Sequence, residues 1–420
     1  MWFISLVLQA SSSLRGASQT MAMTLALFQW PYAAPAWSTG RLWLLRLGYY
    51  KLMRPKEHAD DWAWIVDHTV QMGPEKCLVI LGVRLDLLCT LARPLQHEDV
   101  EPIALLPMSV STGERLLQQF EVSAAKTGIP RQIVADHGSD LKSGIEQFCQ
   151  RHPETSFIYD IKHKTASVLK HELAGDEAWQ RFTSLAAQSK RQTQQSALAC
   201  LAPPNQRSKA RYMNIDVLVD WGDQLLQVLD HPKRLGDLHM DLEQLKAQLG
   251  WIRDFRAPLQ EWRELLQVIE VTETLVRTQG LYRGVHRELK TRLSAVAHHP
   301  RSRRVRACLV AFLARESLQA KSNERLLGSS EVVESVLGKF KHVEGDQAKS
   351  GFTGLVLSLA AMVSTTTMDV VQQALSAVPT QKVLTWCKQT LGQSVQGKRR
   401  QAFLATAKRE QKWDQFRAVG

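Results

Sequence analysis

Three acidic residues, Asp67, Asp136 and Glu334, stand where a carboxylate can be held still. Asp136 ends the apolar run Ile133-Val134-Ala135 in "RQIVADHGSDLKSG" and precedes a glycine-containing turn. Asp67 lies in the extended segment "WIVDHTV", 69 residues earlier, and Glu334 lies in "SSEVVESVLGKFK", 198 residues later. Glu334 follows Glu331 by three positions and precedes Lys341 by seven, so all three share one helical face. Each acid alone has a plain explanation: Asp is a common turn and N-cap residue, and an isolated Glu-rich helix is usually a solvated, salt-bridged one. Taken together they allow a chemistry. Carboxylates at strand ends and on a helix can hold two hard divalent cations roughly 4 Å apart, which activate an attacking oxygen and stabilise a leaving one.

Positioning such acids requires a sheet, and the middle of the chain reads as one. "DWAWIVDHTV" is extended, with Trp62, Trp64 and Val66 alternating against Asp67; "KCLVILGVRLDLL" and "EDVEPIALLPMSV" read as two further strands. Ser111 and Glu114 form a capping-box pattern for a helix that stops at Gly128 and Pro130. Then come the strand ending at Asp136, a helix from Ser139 to about Arg151, the strand "TSFIYDI", and a helix from about Lys164. Three strands in succession imply an antiparallel meander, and the strand–helix alternation that follows implies a parallel portion. The expected fold class is α/β, a mixed sheet flanked by helices.

The flanks differ. Residues 1–56 read as helices: after Pro31 and Pro35, "AWSTGRLWLLRLGYYKL" offers Ser38 or Thr39 as a cap, turns Leu42, Leu45 and Leu47 inward and Arg41 and Arg46 outward. A short turn followed by a capped helix with exposed arginines is a helix-turn-helix pattern. Residues 57–175 carry the sheet. Residues 176–320 are long amphipathic runs with little strand character, opening on the polar "QSKRQTQQSALACLAPPNQ". Residues 321–350 hold the Glu334 helix, and 351–420 form a basic helical tail. No internal repeat or sustained heptad is present.

Composition narrows the partners. The formal charge is +12, and basic residues cluster in "SKRQ" near Lys190, "NQRSKAR" from Asn205, "RSRRVR" from Arg301 and "GKRRQ" from Gly397. Such a cationic surface favours nucleic acid. The six cysteines are scattered, with no CxxC pair and no zinc spacing with histidine, which predicts reduced thiols. "MWFISLVLQA" lacks a basic leader, and "FTGLVLSLAAMVS" is too short to cross a bilayer. A cytoplasmic protein with no membrane partner is expected.

With these residues in view, the chain resembles a DDE transposase of the bacterial insertion-sequence type, whose catalytic domain is ribonuclease-H-like. "WIVDHTV", "IVADHGSDLKSG" and "SSEVVESVLGKFK" carry the resemblance, over roughly residues 60–175 and 320–350. The long second gap matches members with a separate domain inserted before the catalytic helix. The tyrosine and arginine that precede the glutamate in one large group are not at their places here. The resemblance implies Asp67, Asp136 and Glu334 as catalytic ligands to two Mg²⁺ (or Mn²⁺) ions, Asp67 bridging both, with Glu334 preferred to Glu331 because the Glu-then-Lys spacing counts from it. It implies that Lys341 touches DNA phosphate. Water would free a 3′-hydroxyl at an element end, and that hydroxyl would attack target DNA.

The implied partners are double-stranded DNA, at element ends and target, and a second copy of the chain in a homodimer; the implied location is the bacterial nucleoid. DNA contacts are expected from Arg41, Arg46, Arg301, Arg303, Arg304, Lys341, Lys398 and Arg399. Asp140 is expected to support the first turn of its helix, and Asp160 and His163 to cap the helix they begin, with the ordering of a metal ligand or of DNA as their alternative role. His68 and His137 each follow a proposed ligand but lack the further nitrogen or sulfur donors that zinc requires. The alternatives are a shortened or domesticated copy that binds DNA without cutting it, and a nuclease on the same fold.

Overall fold

The computed structural model describes residues 1–70, 75–91, 93–206, 212, 215–231, 242–345, 351–392 and 397–404. The basic run from Arg207 to Arg211 and the tail beyond residue 404 lie outside the described residues. Along the chain come helices α1 (Trp2–Leu8), α2 (Leu14–Leu27) and α3 (Trp37–Met53), strands β1 (Trp62–Val70) and β2 (Lys76–Arg84), the short α4 (Leu85–Thr90), and β3 (Glu101–Met108). Helix α5 (Gly113–Thr127), β4 (Gln132–Ala135), α6 (Ser139–Arg151) and β5 (Ser156–Tyr159) complete the strands. Seven helices follow: α7 (Ile161–Leu173), α8 (Glu177–Thr193), α9 (Asp216–Asp230), α10 (Leu242–Leu249), α11 (Arg256–Gln279), α12 (Val285–Arg292) and α13 (Pro300–Glu316). Then come α14 (Glu331–Glu344), α15 (Leu357–Ala361), α16 (Met368–Ala377) and α17 (Thr380–Leu391). Two units result: one from Met1–Ile158 with the described residues from Ser330 onward, the other Tyr159–Ser329.

The sheet of the first unit has the order β3-β2-β1-β4-β5. β1 and β2 pair antiparallel, as do β2 and β3, while β1 and β4 run parallel with Trp64 opposite Ile133 and Val66 opposite Ala135. The meander and the parallel step are therefore both present, in a mixed five-stranded sheet flanked by helices. Pro102 and Pro107 sit on edge strand β3, where a missing N–H costs least. β1 departs from the expected alternation. Every residue from Trp62 to Val66 is buried, because helices cover both faces of its central position.

One face carries Trp64, Val66, Leu78, Ile80, Ile133 and Ala135, packed on Leu116 and Phe120 of α5 and Ile145 and Phe148 of α6. Trp64 lies 5.9 Å from Phe148 and 6.4 Å from Phe120 between ring centroids. Helix α5 starts one residue later than its capping pattern suggested: Thr112, not Ser111, accepts from the Arg115 N–H at 3.4 Å.

Helix α3 departs in two details from the helix-turn-helix expectation. Neither Ser38 nor Thr39 caps it, since it begins at Trp37 with Ala36 as N-cap and no side-chain cap bond. Leu44, Leu45, Leu47, Gly48, Tyr49, Lys51 and Leu52 are all buried, against α1, α2, α15, α16, α17 and β3. From Gly40 to Leu52 the helix is a core element, while Trp37, Ser38 and Thr39 in its first turn are exposed. Gly48 permits the closest approach, because a Cβ there would run into the backbone carbonyl of Leu357 on α15. "FTGLVLSLAAMVS" supplies this partner surface, with Leu355, Val356, Leu357, Leu359 and Val363 all fully buried.

The second unit is helical among its described residues. Its core is an aromatic cluster in which Phe182 stands 5.1 Å from Trp262, 5.4 Å from Phe255 and 5.8 Å from both Trp179 and Trp251. These residues come from α8, α11 and the 250–255 turn, which explains why the amphipathic runs read as helices with one aromatic face.

Candidate carboxylate site

The register of β1 and β4 decides which acids meet. Successive side chains along a strand point to opposite faces. Trp64 and Val66 face α5 and α6, so Ile65 and Asp67 face the other way. On β4, Ile133 and Ala135 face α5 and α6, so Val134 and, one step past the strand, Asp136 face the other way. Since Val66 is paired with Ala135, Asp67 and Asp136 are the next residues on adjacent parallel strands, on the same side of the sheet.

Helix α14 packs against β1, and none of its buried side chains belongs to the α5/α6 core, so it lies on the same side as the two aspartates. Val332, Val333, Val336, Leu337 and Phe340 anchor it, and both Glu331 and Glu334 occupy its first turn. Both aspartates are oriented by backbone: Asp67 Oδ1 accepts from the His68 N–H at 2.6 Å, and Asp136 Oδ1 accepts from the Gly138 N–H at 3.0 Å. A Cβ at Gly138 would stand 3.2 Å from that Asp136 oxygen, so the turn leaves the carboxylate just enough room.

Asp140, in the first turn of α6, is held by other partners. Its Oδ2 accepts from Lys76 Nζ at 3.0 Å and lies 3.9 Å from His68 Nδ1. Burial would raise its pKa, but hydrogen bonds from Ser111 and Lys76 and the nearby His68 and Lys76 charges outweigh that and hold it at about 2. Lys76 and His68 have the strand parity of Leu78 and Val66, so this cluster belongs to the α6 face. Burial pushes the His68 imidazole down, opposed by Asp140. Asp160 caps α7 by accepting from the His163 N–H at 2.8 Å, and both residues belong to the second unit.

The basic residues expected to touch DNA divide into engaged and exposed. Arg46 Nε donates to the Val378 carbonyl at 2.6 Å and its guanidinium also to Leu375, which ties α3 to the end of α16. Arg41 is half-buried, and burial lowers its pKa. Arg301 is a structural hub. It donates to Glu172 at 3.1 Å, Asp176 at 2.7 Å and Glu261 at 2.9 Å, and also to the Glu172 carbonyl. Burial would lower its pKa, but these acceptors outweigh that and raise it. Three carboxylates already balance that charge, so the expected phosphate contact from Arg301 is corrected to an internal one.

Arg303, Arg304, Lys341, Lys398 and Arg399 are exposed. Arg304 lies 3.6 Å from Glu172, Lys398 lies 3.7 Å from Glu75, and Arg399 rides over the Phe403 ring. Sequence reading missed a group on α14 itself: His97 Nε2 and Ser335 Oγ are 3.0 Å apart, beside Lys339. Only the fold brings His97 to that helix, so no spacing signal announced it.

Among the described residues no helix is long and apolar enough to cross a membrane. No protein-family profile matches the chain, and no curated protein sequence matches it significantly. Among solved structures, a Drosophila P element transposase strand transfer complex is similar at 12% identity, covering 88% of this chain and 96% of that one, with a TM-score of 0.41. At that degree of superposition the likeness carries no argument about function.

Proposed function

We propose that the protein is a polynucleotidyl transferase of the DDE transposase class, acting on double-stranded DNA through Asp67, Asp136 and Glu334 on a ribonuclease-H-like sheet. One observation carries the reading. Asp67 and Asp136 follow a paired position on adjacent parallel strands, and α14, which carries Glu334 in its first turn, packs against β1. Strand order supports it too, since the meander delivers β1 to the centre and β4 beside it.

The donor set is all oxygen, which suits hard divalent cations such as Mg²⁺ or Mn²⁺ and not zinc. When bound, a pair of such ions would polarise the scissile phosphodiester and lower the pKa of an attacking water. The chain's own part is orientation. The His68 and Gly138 amides fix the two aspartates, and the first turn of α14 presents Glu334 with its helix dipole favouring the negative charge. Lys341, exposed two turns along α14, is assigned to DNA phosphate. A homodimer and a bacterial insertion-sequence origin are the finer forms of the proposal, the first because joining two element ends requires two sites.

The test is Mn²⁺ binding followed by paramagnetic line broadening, together with nicking of plasmid DNA that carries the gene's own flanking sequence. Asp67→Asn, Asp136→Asn and Glu334→Gln should each abolish nicking and weaken Mn²⁺ binding, with the fold intact. Mn²⁺ binding that none of the three substitutions changes would overturn the assignment.

A further inference from the structure

Apart from the carboxylates, the first unit contains a cavity of about 500 Å³ between α1, the 96–98 turn, α14 and the 362–366 loop. Ile4, Leu8 and Met362 make one part of its lining apolar; His97, Ser335 and Lys339 make another part polar. Its size and composition are those of a small-molecule or single-residue pocket.

Three features mark it as a prepared site for an anion. Lys339 is half-buried, and among the described residues it makes no ion pair or hydrogen bond. A desolvated ammonium without a counter-charge is costly unless a ligand supplies one. Beside it, Ser335 and His97 are hydrogen-bonded at 3.0 Å, so a hydroxyl and an imidazole are already held at the same wall. Burial and the Lys339 charge both push the His97 pKa down.

The third feature is the adjoining 362–366 loop. Ser364 has a φ of +54°, a left-handed conformation that non-glycine residues adopt only when their surroundings enforce it. The enforcement is visible. The Ser364 N–H donates to the His97 carbonyl at 2.8 Å, and Arg54 donates to the Ser364 hydroxyl at 3.3 Å. From beneath, Lys51 Nζ donates to the carbonyls of Val363 at 2.7 Å and Ser364 at 2.9 Å and to Thr366 Oγ1 at 2.7 Å. A buried lysine thus locks the loop that carries Ser364 to Thr366 into the lining. Glu98, also at the cavity, lies 3.8 Å from Arg93, which offsets its charge.

We propose that this cavity binds a phosphate group carried on a compact carbon body, with Lys339, Ser335 and His97 on the phosphate and the Ile4/Leu8/Met362 wall on the body. The source is either a free phosphate ester or the terminal phosphate of a nucleic-acid strand. The proposal is independent of the carboxylate chemistry, which uses other side chains.

Full-length protein at physiological salt would be titrated by calorimetry with a nucleoside 5′-monophosphate and with a short single-stranded oligonucleotide bearing a 5′-phosphate. Saturable binding of one of them is expected, weakened at least tenfold in Lys339→Met, partly restored in Lys339→Arg, and unchanged in Lys246→Met, which alters an exposed lysine of α10. A thermal midpoint near that of the parent in Lys339→Met would show that the loss is not unfolding. Binding of the monophosphate identifies a free ester as the source; binding of the oligonucleotide alone, lost when its 5′-phosphate is removed, identifies a strand end. Absence of saturable binding to both, or binding that Lys339→Met leaves unchanged, would overturn the proposal. The carboxylate reading is tested separately, by Mn²⁺ binding to the Asp67, Asp136 and Glu334 variants, so failure here leaves that reading standing, and the reverse holds.

Discussion

Asp136 and Asp140 are four residues apart, and their partners give them different work. Asp136 follows the position paired with Val66 next to Asp67, while Asp140, on α6, is bonded to Lys76. Asp136→Asn should reduce Mg²⁺-dependent cleavage by several orders of magnitude, because metal stabilisation of the transition state is worth several kcal/mol. DNA retention in a filter-binding assay should survive the change. Asp140→Asn should leave cleavage intact and alter acid stability instead. Its folded pKa of about 2 lies below the ordinary 3.8, so its stabilisation is fully present above about pH 4 and lost as pH falls toward 2. The loss should be on the order of 1 kcal/mol once solvent screening is allowed for, read as a flatter acid limb in urea titrations of Asp140→Asn.

At the scale of elements, α3 is the post around which the first unit is assembled, and Lys51 is its polar fastening. Burial, with Arg54 nearby, pulls the Lys51 ammonium down to about 7, while three backbone carbonyls and a hydroxyl accept from it. Lys51→Met keeps the volume and removes the donors, leaving buried carbonyls at the end of α15 unsatisfied. It should cost about 3 kcal/mol by chemical denaturation. Arg54 and Lys56 both meet Glu101 at the start of β3, which fastens the same helix end to the sheet edge. The helix-turn-helix reading of residues 1–56 took Leu42, Leu45 and Leu47 as one inward stripe, but Leu44, Gly48, Tyr49 and Leu52 are buried as well.

Across the whole molecule, a charge of +12 says little until each cation's partners are known. Arg301 is internally balanced, so Arg301→Ala should act on stability. It would strand Glu172, Asp176 and Glu261, and should cost about 2–4 kcal/mol by thermal or urea unfolding. Arg303, Lys398 and Arg399 are exposed, and their neutralisation should leave stability within about 0.5 kcal/mol. It should weaken binding to all DNA sequences alike and reduce the salt dependence by about 0.9 log unit of slope per lost phosphate contact. Fluorescence anisotropy across a salt series separates the two classes.

The strands, the helix following Asp136 and the helical character of the described residues between 176 and 320 were legible in the sequence, because they depend on local period and turn chemistry. "KCLVILGVRL" has few options besides a buried strand, and Gly128 ends α5 at a φ of +85° that other residues resist. Asp67 and Asp136 were legible as acids at strand positions for the same reason. Partnership was not legible. That Val66 pairs with Ala135, so that Asp67 and Asp136 follow on adjacent strands, is a register set by long-range packing. Arg301 and Arg303 look alike in "RSRRVR", yet one meets three carboxylates from α7, α8 and α11 and the other meets solvent. His97 reaches Ser335 across 238 residues, and Lys51 reaches the 361–366 loop across more than 300. Local sequence determines which backbone forms and which side chains are apolar. Charge balance, desolvation and the meeting of distant polar groups follow from tertiary packing alone, since each depends on atoms that the chain brings together only when folded.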